Sequence, residues 1–65
     1  MPGWIFEIRK ADDATPETVC VAVDDVLSAK VAALQSVGGV IVDVRELSDH
    51  TLASLRMRAG DVKVL

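Results

Sequence analysis

The clearest pattern of hydrophobic and polar positions lies at Trp4–Arg9. Trp4, Phe6 and Ile8 fall on one face, and the residues between and after them fall on the other. A period of two residues is typical of a strand with one buried face. A second strand is predicted at Thr18–Val23, because this segment is apolar and rich in β-branched residues. The two strands are separated by a polar loop.

A helix is predicted from the N-cap Asp24 to about Val37. At 100° per residue, its apolar stripe centres on Leu27, Val31 and Leu34. We therefore expect this stripe to pack on the sheet.

The pattern after the first helix predicts a strand and a shorter helix, and it leaves the structure of the last four residues open. Gly38-Gly39 can end the first helix, since glycine adopts positive φ readily. A third strand is predicted at Val40–Arg45 and a second helix at roughly Asp49–Arg58. Val62–Leu65 is either a short last strand or a tail. The order β-β-α-β-α, with or without a final strand, predicts a single small α/β domain over residues 1–65.

Short connections and a right-handed crossover place the third strand beside the first. The prediction is an α+β fold with an antiparallel sheet of three or four strands, order 2-1-3, and a helix packed on one face. One register places Glu7 opposite Arg45 and Arg9 opposite Asp43, which would pair opposite charges across the strands.

The two faces of this sheet differ in character. The face expected under the first helix carries Trp4, Phe6, Ile8, Val19, Val21, Val23, Val40, Val42 and Val44. The opposite face has the apolar centre Ile5, Cys20, Ala22 and Ile41, with Glu7, Arg9, Asp43 and Arg45 around it. An exposed apolar patch with a charged rim is typical of a contact surface. Either the second helix or a second chain covers it, and we expect a second chain because that helix is short.

Composition also favours self-association. The chain has 65 residues, of which 51% are hydrophobic, and its mean hydropathy is +0.36. A domain of this size buries only about 60% of its unfolded surface, so oligomerisation, disulfides or metals often add stability. Cys20 is the only cysteine and cannot form a disulfide within the chain. The sequence therefore predicts a homodimer.

The charge balance argues against nucleic acid as a partner. The net charge is −3, whereas nucleic-acid binding depends on clustered Lys and Arg. The one basic cluster is Arg56, Arg58 and Lys63, which a helix C-terminus also explains. Leu55–Val62 resembles the helix-turn-strand of swapped-hairpin antitoxin and transition-regulator domains. The matching residues are a leucine and the Gly60-Asp61 turn alone. The alternative prediction is an antitoxin-like or regulatory protein that contacts nucleic acid through Arg56, Arg58 and Lys63.

No catalytic, cofactor-binding or metal site is predicted. His50 lacks a suitably placed partner, and Cys20 lies within an apolar strand. Asp12-Asp13 with Thr15 and Glu17 could hold calcium, but a solvated acidic turn explains them better. We expect no signal peptide and no membrane span, and the lone cysteine suits the cytoplasm. The predicted function is that of a protein–protein interaction module: an adaptor, an accessory subunit or an inhibitor.

Overall fold

Four antiparallel strands and two helices make up the fold in a computed structural model, which describes residues 3–10 and 15–65. The elements are β1 (Gly3–Arg9), β2 (Glu17–Val21), α1 (Val26–Ser36), β3 (Val40–Leu47), α2 (Asp49–Ser54) and β4 (Val62–Val64). The predicted α+β class is confirmed.

The strands lie in the order β3-β1-β2-β4. The predicted order 2-1-3 is correct for the first three strands, and β4 extends the sheet beyond β2. Val62 lies opposite Val21 and Val64 lies opposite Val19, so the end of the chain is a strand rather than a tail. Since residues that pair across strands share a face, both β4 valines lie on the same face as Val19 and Val21.

The predicted register between β1 and β3 is wrong. Glu7 lies opposite Asp43 rather than Arg45, and Arg45 lies opposite Ile5. Two carboxylates therefore face each other across the strands. Of the two expected pairs of opposite charge, Glu7 with Arg45 is reached diagonally, because an Arg45 nitrogen lies 3.9 Å from a Glu7 oxygen. Arg9 lies opposite Val40 rather than Asp43.

A β-bulge changes which residues of β3 face the core. The register shifts between Glu7 and Ile8, so that Ile8 lies opposite Ile41 and Val42 has no partner of its own. Because side chains alternate along a strand, one extra residue moves those beyond it to the other face. Ile41 consequently packs in the core under α1, while Val40 and Val42 are exposed. Val40 and Ile41 thus lie on the faces opposite to those predicted, and Val42, expected in the core, is exposed.

The first core layer lies between the sheet and α1. It consists of large side chains from β1 and β2 and small ones from the helix: Phe6, Ile8, Val19, Val21, Ala29 and Ala33, with Val37 just after α1. Two hydrogen bonds fix the start of α1. The Asp25 carboxylate accepts from the Ser28 backbone N–H at 3.1 Å, and the Trp4 indole donates to the Asp24 carbonyl at 3.0 Å. The N-cap is thus Asp25, one residue after the predicted Asp24.

The second core layer lies on the opposite face, under α2. Its buried residues are Cys20, Ala22, Leu47 and Leu52, with Ile5, Leu55 and Met57 packed against them. α2 is shorter than predicted because the chain leaves the helix in a Schellman motif. There the Arg56 N–H donates to the Ala53 carbonyl and the Met57 N–H donates to the Leu52 carbonyl, both at 3.1 Å.

Candidate interaction surface

The apolar stripe of α1 points toward solvent. Leu27 is 66% exposed, Val31 is 55% exposed and Leu34 is 39% exposed. The prediction that these three residues pack on the sheet is wrong. They are spaced by four and three positions, so they lie along one side of the helix. We call this set the α1 stripe.

The reason for this orientation is the size of the sheet residues beneath the helix. Ala29 and Ala33 are fully buried, and they face the equally buried Phe6 and Ile8. Protein interiors are close-packed, so large side chains on the sheet leave space only for small ones on the helix. The sequence contained a signal for this arrangement in the four-residue spacing of two alanines. That signal was missed because α1 is apolar on both sides, and the larger side chains were given more weight.

The exposed side of α1 carries little charge. Lys30 is the one charged residue among the eleven residues of the helix, and it is half-buried. The exposed polar neighbours of the stripe, Ser28 and Gln35, are neutral. A partner that covers the α1 stripe would therefore desolvate apolar and neutral groups, without the large cost of burying an unpaired charge.

α2 covers the face that the sequence predicted as the interaction surface. Cys20 is 1% exposed and Ala22 is 3% exposed, and both pack with Leu52. Of the two expected ways to cover this face, the structure shows the second helix. Ile5 is half-buried in the same layer, and Ile41 lies on the other side of the sheet. This apolar centre is therefore not open to a second chain.

The charged rim of that face forms a small ion group. Arg45 donates through Nε to Asp43 at 2.9 Å, and its Nη2 lies 3.9 Å from a Glu7 oxygen. Since Glu7 and Asp43 are directly opposite across β1 and β3, the guanidinium offsets the repulsion between them. Arg9, the fourth predicted rim residue, is exposed at the end of β1. Three of the four predicted rim residues, Glu7, Asp43 and Arg45, are thus explained by contacts that stabilise the sheet.

The predicted basic cluster has structural roles as well. Arg56 has a φ of 57°, because it occupies the left-handed position of the Schellman motif, which glycine usually fills. The Lys63 ammonium donates to the Leu55 carbonyl at 3.4 Å, and the Arg58 backbone N–H donates to Asp61 at 2.8 Å. These interactions hold the turn between α2 and β4.

A small open cleft of about 210 Å³ lies beside this turn. Its lining is mostly apolar, with one acidic and one basic residue: Ala22, Asp49, Leu52, Ala53, Met57, Arg58 and Ala59. Asp49 and Arg58 are both exposed. The cleft therefore offers no desolvated polar group of the kind that a catalytic site uses to act on a substrate.

The two residues that could act as nucleophile or base are poorly placed for it. Burial raises the pKa of the Cys20 thiol above its ordinary value of 9.0, and the nearby positive charge of Lys63 lowers it to a smaller extent. The thiol is therefore protonated at neutral pH, and it is the thiolate that reacts. His50 lies exposed in the first turn of α2.

No metal site is found among residues 3–10 and 15–65, where no three His, Cys, Asp or Glu side chains come together. Asp12 and Asp13, considered above for calcium, lie outside the described residues. Within the same ranges, neither helix has the length and apolar character needed to cross a bilayer. The sequence matches no protein-family model, and comparison with curated proteins and with solved structures gave no significant match.

Proposed function

We propose that the chain is a small protein–protein interaction module, an adaptor, accessory subunit or inhibitor, and that the α1 stripe is its contact surface. The observation that carries this proposal is the orientation of α1, which buries Ala29 and Ala33 and exposes larger apolar side chains. A helix gains more stability by burying leucine than alanine, so exposed leucines on a regular helix need another explanation. Contact with a second protein supplies one.

The position of the stripe supports the same proposal. It lies on a helix that a capped N-terminus and a packed sheet hold in place, so binding requires little ordering of the backbone. Helical stripes with this spacing are a common mode of recognition, in which the apolar face of one helix packs against a groove or against another helix. We further propose that the chain has no catalytic activity and acts in the cytoplasm, where a lone cysteine stays reduced.

Nucleic-acid binding through Arg56, Arg58 and Lys63 remains the weaker candidate. Arg58 shares the cleft with the acidic Asp49, and the Lys63 ammonium already has an acceptor within the chain. No observation in the structure favours this alternative over the interaction module.

The proposal can be tested with a charge placed inside and outside the α1 stripe. Three proteins are immobilised separately: the unaltered chain, the Val31→Glu variant and the His50→Glu variant. Each is then incubated with cell extract and, in a second sample, with the purified unaltered chain in solution. His50→Glu adds the same charge to an exposed site on the other helix. We expect at least one protein to bind the unaltered chain and the control but not Val31→Glu. If the three proteins retain identical binding partners, or none at all, the α1 stripe is not a contact surface.

A further inference from the structure

We propose that the partner of the α1 stripe is a second copy of this chain, in an isologous dimer whose two α1 helices pack antiparallel and cross near Val31. This inference rests on the proposed function of the same surface and names its occupant. It places self-association on the α1 face of the sheet, whereas the sequence had predicted it on the face that α2 covers.

The α1 stripe has a symmetric order of side chains. A two-fold axis brings each copy of a surface against itself in the reverse direction. The stripe reads Leu-Val-Leu from Leu27 through Val31 to Leu34, and it reads the same in reverse. With the axis near Val31, each Leu27 therefore packs against Leu34 of the second copy. Spacings of three and four residues on both helices are those of regular helix–helix packing.

The charge distribution of the chain also favours contact between two α1 stripes. The chain has a net charge of −3, so two copies repel each other wherever their acidic residues come close. The exposed side of α1 is a surface on which two copies can meet without this repulsion, because Ser28 and Gln35 beside the stripe are neutral. A partner with a strongly basic surface would find acidic residues only before the helix, at Asp24 and Asp25, since Lys30 is the only charged residue of α1 itself. A neutral apolar stripe of the same kind is the complementary surface.

The area that two α1 helices can bury limits the strength of the dimer. A standard interface buries about 800 Å² on each partner, roughly a fifth of the 4175 Å² that this chain exposes. A helix of eleven residues is only about 16 Å long, so one helix pair buries less than this. We therefore expect a weak dimer, which dissociates on dilution rather than persisting at all concentrations.

The first experiment measures mass in solution across a range of concentrations. Sedimentation equilibrium of the unaltered chain should show the average mass rising from 6.9 kDa toward twice that value as the concentration approaches about 1 mM. Val31→Glu would bury two unpaired carboxylates at the two-fold axis, and we expect it to raise the dissociation constant by about tenfold or more. His50→Glu should behave as the unaltered chain. A mass that stays at 6.9 kDa throughout would overturn the dimer.

A second experiment tests the antiparallel arrangement by disulfide formation. Diamide oxidises two nearby thiols to a disulfide and is itself reduced to the hydrazine. Val31→Cys should cross-link with its own copy, because a residue on a two-fold axis meets itself, whereas Leu27→Cys should cross-link efficiently only when mixed with Leu34→Cys. Ser36→Cys, exposed on another side of the same helix, is the control, and the buried Cys20 remains in every variant. Equal cross-linking of Ser36→Cys and Val31→Cys would contradict the proposed packing.

The two proposals fail in different ways. If the chain is monomeric and yet loses another protein on Val31→Glu substitution, the α1 stripe is a contact surface whose occupant is not a second copy. If the chain dimerises and Val31→Glu does not weaken the dimer, self-association uses another surface and the homodimer through α1 is wrong. If the chain is monomeric and the substitution changes no binding, both proposals are wrong.

Discussion

α1 and α2 pack on opposite faces of the same sheet with side chains of opposite size. The longer helix, α1, buries Ala29 and Ala33 fully and leaves its leucines partly exposed, Leu27 by 66% and Leu34 by 39%. The six-residue α2 buries Leu52, and Leu55 and Met57 follow it into the same layer. The shorter helix thus places the larger side chains against the sheet.

The sheet explains this difference. On the α1 face its buried residues are bulky, as Phe6 and Ile8 show, whereas on the α2 face they include Cys20 and Ala22. Each helix supplies the volume that its face of the sheet lacks, as close packing requires. The buried side of a helix is therefore decided by the volume available beneath it, together with the hydrophobicity of its own residues.

The largest effect is expected when a leucine side chain is removed from each helix in turn. Leu52→Ala leaves a cavity in the second core layer and should lower the free energy of unfolding by about 2–5 kcal/mol. Leu27→Ala, at the most exposed position of the α1 stripe, should change it by less than about 0.5 kcal/mol in dilute solution. Urea unfolding followed by circular dichroism measures both. Equal losses would show that α1 packs on the sheet through Leu27 after all.

The reverse substitution tests whether space under α1 is limiting. Ala33→Leu adds volume between α1 and the bulky face of the sheet, so we expect a loss of about 1–3 kcal/mol. Ala53→Leu makes the same change at an exposed position of α2 and should be nearly neutral. Thermal unfolding of the two variants side by side gives the comparison. A stabilised Ala33→Leu variant would mean that unfilled space, rather than close packing, lies beneath α1.

The turn that follows α1 should be sensitive at one glycine and tolerant at the next. Gly39 has a φ of +149°, and a Cβ there would lie 2.5 Å from the Arg9 carbonyl oxygen. Gly39→Ala should therefore cost about 1–2 kcal/mol. Gly38→Ala meets no atom within 4 Å and should stabilise the chain by about 0.4–1 kcal/mol, through a smaller entropy of the unfolded state. Urea midpoints that shift in the same direction for both variants would contradict this assignment.

The smallest expected difference between the helices concerns their N-caps and pH. Hydrogen bonds from the Ser28 hydroxyl and backbone N–H hold the pKa of Asp25 below its ordinary value of 3.8. Since the folded-state pKa is depressed, this stabilisation is present above pH 3.8 and is lost as the pH falls through the lower folded value. α2 is capped by Ser48, which has no charge to lose.

This difference can be measured with Asp25→Ser, which keeps a capping oxygen on α1 and removes the titration. The stability of the unaltered chain relative to Asp25→Ser should fall as the solution is acidified below about pH 4. A relative stability that does not change with pH would mean that the Asp25 carboxylate contributes nothing through its charge.

The sequence predicted the elements of this fold better than their orientations. The alternation at Trp4–Arg9 identified β1 because the polar Glu7 and Arg9 alternate with the apolar Phe6 and Ile8. In β3 the residues from Val40 to Val42 are all apolar, so the bulge that moves Ile41 into the core left no trace in the alternation. Strand order followed from chain connectivity, whereas the register depends on local contacts that a pattern does not encode.

The candidate surface was harder to predict for a related reason. Leu27 and Ala29 lie on different sides of α1, and both sides are apolar. Which side of α1 is buried depends on the size of the sheet residues beneath it. That size is known only when each sheet residue has been assigned to a face. The burial of Cys20 likewise depended on whether α2 could reach it. Leu52 and the residues after the helix fill the space that the small sheet residues leave.

The single tryptophan and the single cysteine lie in different core layers. Trp4 is hydrogen-bonded to the residue before the cap of α1, so its fluorescence should respond when that helix separates from the sheet. Cys20 is buried beneath α2, so its reaction with a thiol reagent should report when that helix separates. The unlabelled chain thus carries one natural probe for each helix. Which helix detaches first during unfolding can be timed from two independent signals in the same sample.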